Sequence, residues 1–260
     1  MKRFFVFAVA LIFACPVLSQ ELTSLYEARQ FEQGGHTLNY RILFPENFDS
    51  SKPYPLVLFL HGAGERGNDN ASQLTHGGKL FADNREAGQF PAVVVFPQVP
   101  KDDYWAAVEV DREQQPFTFN YAIDAEPTES MALLMGLLDQ LMGKPFVDTQ
   151  RIYVGGLSMG GMGTYEILAR KPDVFAAAIA ICGGANPATA KRYRDGLPLW
   201  AFHGERDDIV APSLSVNMVD AINAAGGNAK LTLYPDANHN SWDSTFAEPE
   251  LLPWLFSHQL

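Results

Sequence analysis

One short stretch, RIYVGGLSMGGMG at positions 151–163, restricts the folds open to this chain more than any other. Arg151–Val154 reads as a β-strand. Gly156-Leu157-Ser158-Met159-Gly160 turns from it straight into a helical stretch, Met159–Arg170, which Pro172 closes. A serine on so sharp a strand-to-helix turn sits in a strained backbone conformation. The residues two before and two after it must be tiny to avoid a clash, which explains glycine at 156 and 160. Such a turn lifts the hydroxyl above the sheet and aims a helix N-terminus at it, where developing negative charge is stabilised. Ser158 is therefore a candidate nucleophile, and a strand feeding a crossover helix predicts a mostly parallel sheet.

The rest of the chain repeats that alternation. Leu56–Leu60, Ala92–Phe96, Val174–Ile181 and Leu199–Phe202 are short apolar runs, the pattern of strands buried on both faces. Thr37–Leu43 precedes them and Leu231–Tyr234 ends the series. Between them, Thr128–Met142 has a continuous apolar face stopped by Gly143 and Pro145. A further helix opens at Pro212 and ends at Gly226-Gly227, and Glu248–His258 is helical again. The predicted fold class is α/β, with a mostly parallel central sheet and helices on both faces. With 260 residues, 47% of them hydrophobic, and no repeat or linker, positions 20–260 are expected to form one domain. Cys182 to Leu197 is too short to hold an inserted lid. The one long connection, Pro100–Pro127, lacks periodicity and carries Tyr104, Trp105, Phe117, Phe119 and Tyr121. Long connections are often functional, and this one is expected to fold over an otherwise open site.

The N-terminal segment reads as a leader. Lys2 and Arg3 precede an unbroken apolar run, Phe4–Cys15, followed by Pro16-Val17-Leu18-Ser19. A basic start, an apolar middle and small residues near a cleavage point describe a secretory signal, and the run is too short to span a bilayer as a helix. Cleavage is expected after Ser19, which makes the protein secreted or periplasmic. Losing two basic residues and no acidic one takes the formal charge from −11 to −13. So acidic a chain gains nothing from phosphate backbones, which excludes nucleic acid as a partner. Cys15 leaves with the leader and Cys182 stays alone, so no intrachain disulfide forms. Cys182 ends an apolar run and reads as a packing residue rather than a nucleophile.

A serine hydroxyl needs a base to take its proton. Two later strand ends supply the partners. Leu199–Phe202 runs into HGERDDIV, which places Asp207 and its neighbour Asp208 just past a strand; Asp207 is the preferred acid. Leu231–Tyr234 runs into PDANHN, which puts His239 on the next such loop as the base, with Asp236 shaping the turn. The remaining machinery is a tight glycine-containing turn after Leu56–Leu60, His61-Gly62-Ala63-Gly64. There the Ala63 N–H is the candidate partner of the Met159 N–H in holding an oxyanion. Glu65 and Arg66 are expected to hold this loop. Trp105 and Trp242 are candidate substrate-stacking residues, since aromatic faces suit sugars and cinnamoyl rings. The other histidines, 36, 76, 203 and 258, read as structural or surface residues. No histidine or cysteine spacing implies a metal, no fingerprint implies a dinucleotide, and no cofactor is expected.

LHGAGERG (60–67), VVFPQ (94–98), RIYVGGLSMGGMGTYE (151–166), ICGGAN (181–186), FHGERDDIV (202–210) and NHNSWD (238–243) together carry a family likeness. The chain resembles the secreted bacterial α/β-hydrolases known as predicted peptidases or phospholipase/carboxylesterase-type esterases, feruloyl esterases among them. The resemblance implies a triad of Ser158, Asp207 and His239. It leaves the substrate open. The residues themselves favour an ester hydrolase working through an acyl-enzyme on a small-molecule or polysaccharide-linked ester, with a serine peptidase as the alternative and a non-catalytic binding protein of the same fold as a third reading.

Overall fold

The computed structural model describes residues 16–260, with side chains from Glu21 onward. The expected leader, residues 1–19, lies largely outside the described residues; positions 16–19 open helix α1 (Pro16–Leu25).

The apolar runs form one eight-stranded sheet. Its strands are β1 (Glu27–Gln33), β2 (His36–Leu43), β3 (Tyr54–Leu60), β4 (Val93–Gln98), β7 (Val147–Leu157), β8 (Ala177–Ile181), β9 (Pro198–Gly204) and β10 (Asn228–Tyr234). Their order is β1-β2-β4-β3-β7-β8-β9-β10. From β4 to β10 every neighbouring pair is parallel, while β2 runs antiparallel to both β1 and β4. Because side chains alternate across a strand, each central strand feeds two cores. Leu56, Leu58 and Leu60 of β3 pack with Ile152, Val154, Ala178 and Leu199 under α3 (Glu129–Met142), α4 (Met159–Arg170) and α5 (Pro212–Ala224). Val57 and Phe59 pack with Tyr153, Ile179 and Phe202 on the other face, under α2 (Gly78–Ala87), α6 (Trp242–Phe246) and α7 (Leu251–Phe256).

The strand order decides where a ligand can enter. After β3 the chain crosses to β4 on one side, and after β7 it crosses to β8 on the other. A crevice opens at the carboxyl ends of strands where such a switch occurs. Leu60 and Gly156 are paired residues there, so the turn after β3 and the turn after β7 start side by side.

Three elements in or against the main sheet escaped the sequence reading: the edge strand β1, helix α2 between Gly77 and Gly88, and the short helix α6. The connection 100–127 is a correction as well. It holds a two-stranded antiparallel hairpin, β5 (Val108–Asp111) and β6 (Thr118–Tyr121). Its residues alternate: Val108, Val110, Phe119 and Tyr121 are half-buried, while Glu109, Asp111, Thr118 and Asn120 are exposed. Ala106, Met162 of α4 and Val210 form a small core under it, with Val108, Phe119, Tyr121 and Leu214 packed around them.

Candidate active site

Ser158 stands between β7 and α4 with φ 53° and ψ −117°, a left-handed conformation costly for a residue with a Cβ. The backbone is clamped on both sides, by Ser158 N–H to the Ile181 carbonyl at 2.8 Å and by Met162 N–H to the Ser158 carbonyl at 3.0 Å. The glycines beside it are a steric necessity. A Cβ on Gly160 would lie 1.9 Å from the Leu60 carbonyl oxygen, and one on Gly156 would lie 2.4 Å from that of Gly160.

Three loops at strand ends converge on this serine. Ser158 Oγ lies 2.9 Å from His239 Nε2, and His239 Nδ1 lies 2.7 Å from Asp207 Oδ2. A carboxylate only accepts, so Nδ1 carries the hydrogen and the neutral ring offers the Nε2 lone pair to the serine hydroxyl. Asp207 is buried, and its other oxygen, Oδ1, accepts the N–H groups of Ile209 and Val210, both at 2.9 Å. Burial alone would raise the Asp207 carboxyl. The hydrogen bonds from His203, His239 and the Val210 N–H, with the histidine charge, outweigh it and hold the group well below the usual carboxylate range. Asp236 pairs instead with Arg206 at 2.6 Å on the surface. Close contact of the β9 and β10 loops requires Gly204, where a Cβ would sit 2.2 Å from the Asn238 carbonyl oxygen.

The turn after β3 is bonded from behind. Val99 N–H donates to His61 Nε2 at 3.0 Å, so His61 Nδ1 bears the hydrogen and donates to the Gly62 carbonyl at 2.7 Å. Across a trans peptide the Ala63 N–H points opposite to that carbonyl, away from the His61 ring. Arg66 Nε–H holds the Ala63 carbonyl at 3.0 Å, and Trp105 Nε1–H holds the His61 carbonyl at 3.2 Å. Gly62 abuts the serine turn, since a Cβ on it would lie 2.8 Å from Leu157 Cδ1. Met159 opens α4, and its N–H has no acceptor within the helix. Burial pushes the His61 ring down to about 4 against the opposing bond to Gly62, so it is neutral near pH 7.

The two tryptophans part company. Trp105 is fully buried, its ring packed on Gly163 and edge-on to His61, so it presents no face to a substrate and belongs to the core. The expectation that it stacks on substrate is corrected. A 12-residue window of hydropathy around it does not separate a buried indole from an exposed one. Trp242 is half-buried and meets the His239 ring edge-on at 5.6 Å, and the His76 ring lies tilted against it at 5.0 Å. His203 escaped the sequence reading as more than structural: it is fully buried and its Nε2 lies 3.0 Å from Asp207 Oδ2. Its position, four residues before Asp207 at a strand end, was the available signal.

A parallel sheet with an antiparallel second strand and a serine turn after β7 defines the α/β-hydrolase fold, as the resemblance implied. The chain belongs to the phospholipase/carboxylesterase family, whose model matches residues 48–249. A thermostable esterase of known structure superposes with a TM-score of 0.80 at 32% identity, covering 92% of this chain and 64% of that one. A bifunctional acetylxylan esterase/xylanase of Neocallimastix patriciarum is 32% identical over 87 residues, 34% of this chain and 13% of that protein. Dipeptidyl-peptidase 5 of Porphyromonas gingivalis is 23% identical over 79% of this chain and 33% of its own length. The chain thus spans a third or less of these two curated relatives. No described helix is long and apolar enough to cross a membrane.

Proposed function

We propose that this protein is a serine ester hydrolase working through an acyl-enzyme. His239 Nε2 takes the Ser158 proton as Oγ attacks the ester carbonyl, and the Ala63 and Met159 N–H groups hold the resulting oxyanion. The imidazolium then returns the proton to the leaving alcohol, and water, activated by the same ring, releases the acid and frees the serine. The observation that carries this reading is the unbroken line from Ser158 Oγ to His239 at 2.9 Å and from His239 to Asp207 at 2.7 Å. Ser158→Ala is expected to lower turnover of an aryl acetate by about 10⁴-fold or more and to abolish fluorophosphonate labelling, with circular dichroism unchanged. Retained turnover would overturn the assignment.

The substrates proposed are small or aromatic esters, including acetyl or feruloyl groups on polysaccharide. The half-buried Trp242 beside His239 and the acetylxylan esterase relative support this class. A peptidase reading is favoured by the dipeptidyl-peptidase relative. An ester's alkoxide needs less protonation to leave than a peptide's amine, so the same triad does more for esters. Comparing kcat/KM for an ester and an amide with one acyl group separates the two; equal amide turnover would restore the peptidase reading. Export after cleavage at Ser19 belongs to the same proposal, and N-terminal sequencing of the protein from its native host tests it.

A further inference from the structure

Asp207 is held between two histidines. On Oδ2 it accepts Nδ1–H of His239 at 2.7 Å, and on the same oxygen it faces Nε2 of His203 at 3.0 Å. His203 Nε2 is also 2.9 Å from the Val210 carbonyl oxygen, while the Val210 N–H donates to Asp207 Oδ1. On the far side of the ring, Nδ1 lies 2.7 Å from Ser215 Oγ, which is 3.1 Å from the Gly183 carbonyl oxygen. The His203 and Asp207 side chains have no solvent exposure.

These contacts settle which atom carries the hydrogen. Both neighbours of Nε2 are oxygens that only accept, a carboxylate and a carbonyl. A bare Nε2 would set three sets of lone pairs against one another between side chains with no solvent exposure, so Nε2 is protonated in either charge state of the ring. Ser215 can donate to Nδ1, or accept from it and donate onward to Gly183, without changing that result. Asp207 thereby receives two hydrogen bonds on each carboxylate oxygen. Removing one of them frees the carboxylate to rotate and makes it a stronger proton acceptor toward His239.

We propose that His203 is a positioning residue for the hydrolytic reaction: its Nε2–H fixes the Asp207 oxygen that orients His239, and it keeps the proton on His239 when the imidazolium forms. The inference rests on the triad reading above and goes beyond it, because the hydrogen bonds of the His203 ring run to Ser215, Asp207 and Val210 and not to the reacting serine or its base. Its effect passes entirely through Asp207.

Two variants of similar polarity test it. In His203→Gln the side-chain amide nitrogen reaches the place of Nε2 and can donate to Asp207. In His203→Asn the amide reaches only the place of Nδ1, which keeps Ser215 and abandons Asp207. Turnover of an aryl acetate is measured per site counted by fluorophosphonate titration, so that poor folding of a fraction does not enter. His203→Asn is expected to lower kcat about tenfold or more with KM little changed, while His203→Gln recovers most of it. In an Asp207→Ala background neither variant should lower the residual rate further. Equal losses in Asn and Gln, or a kcat for His203→Asn within about twofold of the parent, would overturn the proposal. So would an undiminished loss in the Asp207→Ala background. Failure of the triad reading is a separate result, seen as retained turnover in Ser158→Ala.

Discussion

The turn after β3 and the β5–β6 hairpin both adjoin the site, and they are built by opposite means. In the turn, the carbonyls of His61, Gly62, Ala63 and Glu65 each receive a side-chain donor, from Trp105, His61, Arg66 and Gln98. Directional bonds on four carbonyls leave one conformation open, as the oxyanion role proposed for the Ala63 N–H requires. The hairpin rests on an apolar patch around Ala106, Met162 and Val210, with Phe117 N–H bonded to the Ile209 carbonyl at 2.9 Å. Apolar contact is non-directional, so side chains there can change size without re-aiming the machinery. A concavity of about 420 Å³ lies on the hairpin, lined by Val108, Glu109, Asn120 and Tyr121. The turn is held by directional bonds and the hairpin by apolar packing, and on the proposed function only the first carries a group that meets the reacting carbonyl.

The largest effect that tests this contrast comes from Trp105, which belongs to the turn's support although it lies in the hairpin's connection. Trp105→Ala should cost about 3–5 kcal/mol of stability by urea unfolding, as expected for a buried tryptophan. If it instead altered the preference among feruloyl, acetyl and butyryl esters at unchanged stability, Trp105 would belong with the substrate after all.

Acid should loosen the turn next. In the unfolded chain His61 takes a proton near its ordinary value of 6.5, whereas the folded protein resists until about 4. Between those values the unfolded state binds more protons, so stability falls with falling pH, by about 3 kcal/mol across the window. Asp207 has the opposite ordering of charge: its depressed carboxyl contributes stability at and above pH 3.8 that is lost only below it. The two losses therefore separate on the pH axis. Urea midpoints for the parent and His61→Asn at pH 7 and pH 4.5 measure the first, and equal slopes in both proteins would remove His61 as its source.

The smallest effect is reserved for the hairpin. Phe119→Ala should cost about 1 kcal/mol, since the ring is half-buried and loses only part of its transfer energy. Its kcat on a small aryl acetate should stay within about twofold, while KM for a bulky or polymeric ester rises. A large drop in kcat on the small ester would erase the distinction between the two regions.

Much of this architecture was legible along the chain. The serine turn, the parallel sheet and helices α3, α4 and α5 follow from short-range rules, glycine sterics, hydrophobic period and proline stops, which act within a few residues. Asp207 and His239 could be singled out by their places after β9 and β10. The hairpin was not legible although its alternation is present, because each of its strands is only four residues long, too short for a period of two to stand out from a loop.

What the sequence determined by itself is local: where strands end, where helices start, and that Ser158 sits on a turn only glycine neighbours permit. The tertiary structure alone decided that Trp105 is buried under His61, that His203 lies against Asp207, and that residues 32 and 81 positions apart meet at hydrogen-bond distance in the Asp207–His239–Ser158 line. Those outcomes depend on how loops from separate strands close over one another, and no window of neighbouring residues contains that information. An indole or an imidazole carries the same propensity in a core or at a rim; only the packing around it chooses.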